Sequence, residues 1–64
     1  MAITMKAARI NAGYKQTEAA EKLGVSPNTY LNWENGKTIP TVDRAYEICE
    51  LFNLPIDSII FLQK

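Results

Sequence analysis

The stretch from Gln16 to Gly36, QTEAAEKLGVSPNTYLNWENG, constrains the fold more than any other part of the chain. It predicts two short helices separated by a glycine turn. In the first, over 16–23, Ala19, Ala20 and Leu23 can pack inward while Glu18 and Glu21 face outward. Adjacent alanines suit a close helix crossing, because larger side chains push the axes apart. Gly24 stands where a helix ends in a left-handed residue. Val25 can plug the gap that follows, Ser26 can cap the next helix, and Pro27 fits its first turn, where a missing amide hydrogen costs nothing. Tyr30 and Trp33 share one face of that second helix, and Asn28 and Asn32, four apart, share another that is polar and uncharged. Isolated helices below roughly 12–15 residues are marginal in water, so the remaining chain must hold this pair at a fixed angle.

The remainder is brief. With 64 residues the chain is expected to be one small domain over 1–64, with no room for a second, effector-binding domain and little core to spare. Cys49 is the single cysteine and there is no histidine, which excludes a disulfide framework, a zinc cluster and an imidazole base within one chain. No metal or other cofactor and no small-molecule ligand are expected. Lys6 and Arg9 interrupt the apolar positions near the start, and no apolar run approaches the roughly 18 residues of a membrane span. The expected location is the cytoplasm, with no membrane partner.

Seven basic residues balance seven acidic ones, so overall charge gives no signature of a nucleic-acid partner. The distribution is uneven. Residues 1–32 hold Lys6, Arg9, Lys15 and Lys22 against Glu18 and Glu21, whereas 33–64 hold Lys37, Arg44 and Lys64 against Glu34, Asp43, Glu47, Glu50 and Asp57.

Before the paired helices, Thr4 can cap a helix over about 5–12 with Met5, Ala8 and Ala12 as its apolar positions and Gly13 as its stop. Arg9 lies within that stripe, where a charge needs a partner or a route to water. After the pair, Asn35 and Gly36 end the helix and Lys37 to Pro40 form a loop. Thr41 can cap a fourth helix, with Asp43 in its first turn. Its apolar stripe is wide, Val42, Ala45, Tyr46, Cys49 and Phe52 flanked by Ile48 and Leu51, and predicts the central packing helix. Asn53, Leu54 and Pro55 break the pattern, and a short fifth helix is expected over 56–61. Ile59, Ile60, Phe61 and Leu62 then present more apolar surface than so short a helix can bury, which points to a partner surface.

Gln16 to Asn35 resembles the helix-turn-helix of the phage Cro and lambda-repressor-like family, with Ala20 at its small-residue position, Gly24 at its turn and Trp33 at a buried position. WENGKTIP resembles that family's segment leading out of the recognition helix. The resemblance runs from Thr4 to about Phe61 and implies an all-α, five-helix lambda-repressor-like DNA-binding domain with its helix-turn-helix at helices 2 and 3.

Carried over residue by residue, the resemblance implies base readout by Ser26, Pro27, Asn28 and Asn32. The two asparagine amides are suited to adenine N6 and N7 in the major groove, the alternative being plain solvated positions. It implies phosphate contacts by Lys15, Gln16, Thr17, Thr29, Asn35, Lys37 and Thr38, with Gln16 also bracing the first residues of helix 3. Arg9 and Glu34 match a structural ion pair between helix 1 and the end of helix 3. Ile59, Phe61 and Leu62 are the expected dimer surface.

Three positions depart from the family pattern. Lys15 replaces a Ser or Thr cap, so the capping box with Glu18 is expected to be lost. Tyr30 replaces a β-branched aliphatic and bears on the docking angle. Leu31 can touch a thymine methyl or pack at the helix edge.

The expected function is that of a sequence-specific transcriptional regulator, a Cro-like repressor binding a palindromic double-stranded DNA operator as a homodimer, because one short helix reads too few base pairs alone. The alternative is a protein-interaction module of the same fold, an antitoxin or anti-repressor. An enzyme is not expected; Asp43 and Glu47, four apart on helix 4, read as a solvated face.

Overall fold

The computed structural model describes residues 2–61. Four α-helices occupy most of them: α1 (Met5–Asn11), α2 (Gln16–Leu23), α3 (Pro27–Glu34) and α4 (Val42–Leu51). A single 3-10 turn, Ile56–Ser58, follows, and the chain closes on a two-stranded parallel sheet of β1 (Ile3–Thr4) and β2 (Ile59–Ile60). Ile3 stands opposite Ile59 and Thr4 opposite Ile60.

Each helix is short enough that its ends decide whether it forms. Thr4, Ser26 and Thr41 have extended backbones, and their hydroxyls accept from the backbone N–H three residues on, at Ala7, Thr29 and Arg44. These caps satisfy donors that have no partner inside the helix. At the other ends, Gly13, Gly24, Gly36 and Asn53 take positive φ. The residue after each returns its N–H to a carbonyl of the last turn: Tyr14 to Arg9, Val25 to Ala20, Lys37 to Asn32 and Leu54 to Cys49. All four helices therefore end in the same left-handed cap. Asn53, with φ of 58°, is the non-glycine among them and the amide-bearing type that tolerates this region best.

Ala19, Ala20, Leu23, Tyr30 and Trp33 are buried together with Met5, Ala8, Ile48, Cys49, Phe52 and Ile59. The methyl side chains of Ala19 and Ala20 let α2 lie closely against its neighbours. Val25 is half-buried in the turn and packs on this core, as do Tyr14, Leu51 and Leu54. Tyr14 meets Phe52 with ring centroids 6.0 Å apart.

Several expectations are corrected. The fifth helix over 56–61 does not form; Ile59 and Ile60 extend instead and pair with Ile3–Thr4. Adjacent β-branched residues suit a strand, and its backbone partners come from the far end of the chain. Ile59, expected on a dimer surface, is 5% exposed and belongs to the protomer's own core, and Phe61 packs partly buried against that core. Leu62 lies outside the described residues. In α1 the helix stops at Asn11 and Ala12 is exposed. The apolar stripe of α4 is narrower than expected: Ala45, Ile48, Cys49 and Phe52 are buried, while Val42 and Tyr46 are exposed, because one side of a helix meets the core and the expected stripe spanned more than one. Finally, half of the capping box at α2 survives. The Lys15 side chain has no acceptor, but Glu18 accepts from the Lys15 backbone N–H at 2.8 Å.

Two substitutions separate local from tertiary contributions. Gly24→Ala meets no atom within 4 Å of the added Cβ, so its cost in urea unfolding is the left-handed backbone alone, about 1–2 kcal/mol. Ile59→Ala is expected to cost about 2–5 kcal/mol as a buried large-to-small change and to leave the sedimentation mass unchanged.

Candidate nucleic-acid interface

The geometry of the site begins with one buried carboxylate. Glu34, the last residue of α3, accepts from Arg9 Nε of α1 through Oε2 at 2.7 Å and from Gln16 Nε2 of α2 through Oε1 at 3.1 Å. Arg9 also donates from Nη1 to the Tyr14 carbonyl at 2.9 Å. Three helices and the α1–α2 loop thus meet at a single side chain. Arg9 and Glu34 are both buried, and a buried pair of this kind matters less for net stability than for holding one arrangement against others.

Burial by itself would raise the Glu34 carboxyl. The donors Arg9, Gln16 and Tyr30, with the Arg9 charge, outweigh it and hold the group below its ordinary 4.5. Tyr30 is fully buried beside this pair. Its hydroxyl dipole favours ionised Glu34, yet its oxygen falls outside hydrogen-bond geometry with any partner. Burial first, and the adjacent Glu34 carboxylate second, push the phenol far above its usual 10.0. Tyr30 also meets Trp33 edge-on, centroids 6.2 Å apart, so the large ring at this position fixes how α3 seats on α2.

With one face of α3 committed to the core, the opposite face is free. Ser26, Pro27 and Asn28 are exposed and Thr29, Leu31 and Asn32 are half-exposed. Among the described residues the side-chain amides of Asn28 and Asn32 form no intramolecular hydrogen bond, leaving donor and acceptor available. Ser26 is more committed: its hydroxyl accepts from the Thr29 N–H at 3.1 Å and donates to Thr29 Oγ1 at 2.9 Å.

The phosphate candidates gather around the junction of α2 and the α3–α4 loop. Lys15 and Thr17 are exposed at the start of α2, and Asn35, Lys37 and Thr38 are exposed beyond α3. Gln16 brings these two groups together, but through the end of helix 3 rather than its first residues, as expected from the sequence; its bond is to Glu34. The N–H groups of Lys37 and Thr38 both point back to the Asn32 carbonyl, at 3.0 and 3.4 Å, which fixes the loop beside the helix. Thr29 lies apart from this group, in the first turn of α3, with its hydroxyl engaged by Ser26.

Arg44 is a positioning residue not anticipated from the sequence. It donates from Nη1 to the Leu23 carbonyl at 2.7 Å and to Glu47 at 2.8 Å, so α4 caps the end of α2 just before the turn. The available signal was its isolation as the one basic residue in VDRAYEICEL. Among the described residues no cluster of His, Cys, Asp or Glu could hold a metal ion, and no helix is long and apolar enough to cross a membrane.

Two helices joined at Gly24, the second presenting a polar, uncharged face beside a basic loop, define a helix-turn-helix domain. A helix-turn-helix family model matches residues 5–59, and the chain belongs to the Cro/lambda-repressor-like helix-turn-helix family, a non-enzymatic family of DNA-binding transcription regulators. It is 38% identical over 56 residues to the HTH-type transcriptional regulator ImmR of Bacillus subtilis, covering 88% of this chain and 44% of that protein. It is 28% identical over 60 residues to the uncharacterized HTH-type transcriptional regulator YgzD of the same species, covering 94% of this chain and 91% of that protein. With the cryptic phage CTXphi transcriptional repressor RstR of Vibrio cholerae it shares 29% identity over 52 residues, 81% of this chain and 47% of that protein. The chain therefore spans less than half the length of ImmR and RstR. No solved structure gives a comparable match.

The buried pair sets two pH limits. Glu34 is depressed in the folded state, so its contribution is present above the unfolded value near 4.5 and is lost as pH falls through the folded value. Tyr30 is raised, so its contribution is complete below 10.0 and declines above it. Urea midpoints are expected to fall on both sides, and Tyr30→Phe to flatten the alkaline side. Since Tyr30→Phe also removes an unpaired buried hydroxyl, it is expected to be neutral or stabilising by up to about 1 kcal/mol at pH 7. Arg9→Met leaves Glu34 buried without its cation and is expected to cost about 3–5 kcal/mol.

Proposed function

We propose that this chain is a Cro-like repressor domain that occupies a palindromic operator as a homodimer, with α3 in the major groove. The observation that carries the reading is the free pair of amides at Asn28 and Asn32 on the side of α3 opposite Tyr30 and Trp33. An asparagine amide pairs bidentately with adenine N7 and N6. Pro27 lies at the N-terminal end that enters the groove first, and Ser26 makes its base contact by exchanging its bond to Thr29. Lys15, Gln16, Thr17, Thr29, Asn35, Lys37 and Thr38 contact phosphates, with the α2 N-terminus adding amides and dipole. The repressor named among the relatives, RstR, supports repression over activation. Two half-sites about one helical turn apart follow from the short reading helix. The expected setting is the cytoplasm, on chromosomal or phage DNA.

Selection of bound sites from a random duplex pool tests this directly, and inverted half-sites are the expected product. On the selected duplex, Asn28→Ala and Asn32→Ala are each expected to cost about 1–3 kcal/mol and to relax preference at one base pair. Lys37→Gln is expected to weaken all duplexes alike and to lower the salt slope by about 1. Binding without sequence preference, or unchanged by the paired asparagine substitutions, would defeat the reading. The formal net charge of zero favours a second reading, a protein-interaction module, and affinity for its target that is flat in salt would mark that case.

A further inference from the structure

The apolar tail expected to join two copies is folded into the protomer, so a dimer needs another surface. One stands on the segment leading from the phosphate loop into α4. Ile39 is 54% exposed, Val42 71% and Tyr46 57%. Val42 and Tyr46 are four apart and share one face of α4; Ile39 immediately precedes buried Pro40 and the Thr41 cap. Elsewhere the large exposed apolar side chains are Ile10 and Ile56, each on a different element. Concentrated exposure of this kind on a small domain is characteristic of an interaction site.

We infer that Ile39, Val42 and Tyr46 form an isologous surface that meets the same surface of a second copy of this chain when both occupy one operator. The inference rests on the proposed dimeric DNA reading and adds where the twofold axis passes. Ile39 follows Thr38 directly, so the apolar surface is continuous in the chain with the loop proposed to grip phosphate. Copies joined there carry their phosphate loops toward the axis and present both α3 helices to the same side of the duplex. Symmetry makes one patch sufficient, because the same residues serve both partners. Tyr46 is the natural anchor, an aromatic with a polar tip.

The patch is also too small to act alone. Three side chains exposed to this extent offer roughly half of the ~800 Å² per partner that a stable interface buries. Asp43 and Glu47, exposed and next to Val42 and Tyr46 in the chain, add like charges from both copies. Glu47 is partly offset by Arg44 at 2.8 Å. Association is therefore weak in free solution and becomes effective when DNA holds two copies side by side at high local concentration.

The test uses the full chain and duplexes from the random-pool selection bearing one or both half-sites. Wild type is expected to be monomeric in sedimentation at micromolar concentration and to gain about tenfold or more on the double site over independent binding. Val42→Glu with Tyr46→Glu is expected to abolish that gain while leaving single-site affinity and Tm unchanged. Independently of DNA, Val42→Cys is expected to cross-link under oxidation at high protein concentration, with Ile10→Cys as the exposed control and native Cys49 buried. Retention of the double-site gain by the double variant overturns the inference and assigns the patch to a different partner. Equal cross-linking at Val42→Cys and Ile10→Cys overturns it as well. Failure of the selection to yield any preferred sequence would defeat the operator reading instead, and the cross-linking comparison still decides the surface.

Discussion

The carboxylate of Glu34 is the constraint on which the candidate interface depends. Its two oxygens receive Arg9 from α1 and Gln16 from α2, while its own backbone terminates α3. An apolar cluster of the same volume would hold these helices together at least as firmly, since ion pairing repays desolvation poorly. What directional bonds add is discrimination: a rotation of α3 that kept its core contacts would still strip Glu34 of one partner and leave a buried charge unpaired. Docking angle is the quantity a reading helix must control, and here it is set by the least forgiving interaction in the core. Tyr30 belongs to the same device. Its ring fills the space between α2 and α3, while its unpartnered hydroxyl is a local cost accepted beside the pair.

Gln16 links that frame to the surface. One amide N–H is committed to Glu34, leaving its other N–H and its carbonyl for an external partner. A phosphate held at the start of α2 would therefore bear on the residue that orients α3. Arg44 works from the other side, by closing the α2 terminus against α4. The turn at Gly24 is thus gripped from both ends, although the turn itself consists of only a few residues.

How much of this was legible in the sequence depended on how local its cause was. The bounds of α2 and α3 follow from signals within a few residues: Ser26 and Pro27 at one start, Gly24 at one end, paired alanines between. The Arg9–Glu34 pair was legible through the family resemblance, and because a charge within an apolar stripe demands an explanation. The β1–β2 pairing joins Ile3 to Ile59, and nothing near Ile59 encodes a partner so far away. The same limit misplaced the dimer surface, since an apolar run looks identical whether it covers its own core or a neighbour's. On α4 the apolar periodicity was real but ambiguous. It could not tell that Ala45, Ile48, Cys49 and Phe52 meet the core while Val42 and Tyr46 turn away, because that choice is made by the helices it packs against. Nor did a missing cap at Lys15 erase the capping box, whose return half needs only the Glu18 side chain and a backbone N–H.

The charge balance shapes what such a domain can do with DNA. Within the proposed contact set the cations are Lys15 and Lys37, at its edges, and the centre is uncharged amide and hydroxyl. Phosphate neutralisation supplies most of non-specific binding and scales with the number of cations engaged. A surface with two lysines therefore holds random DNA weakly, while base contacts through Asn28 and Asn32 are worth the same in any charge background. The ratio of specific to non-specific affinity rises as the electrostatic contribution shrinks. The absolute affinity of one copy falls with it, and that loss makes a second copy on an adjacent half-site a physical requirement of occupancy. An exposed apolar surface at the start of α4, too small to join copies in free solution, answers that requirement at a cost the isolated protomer can bear.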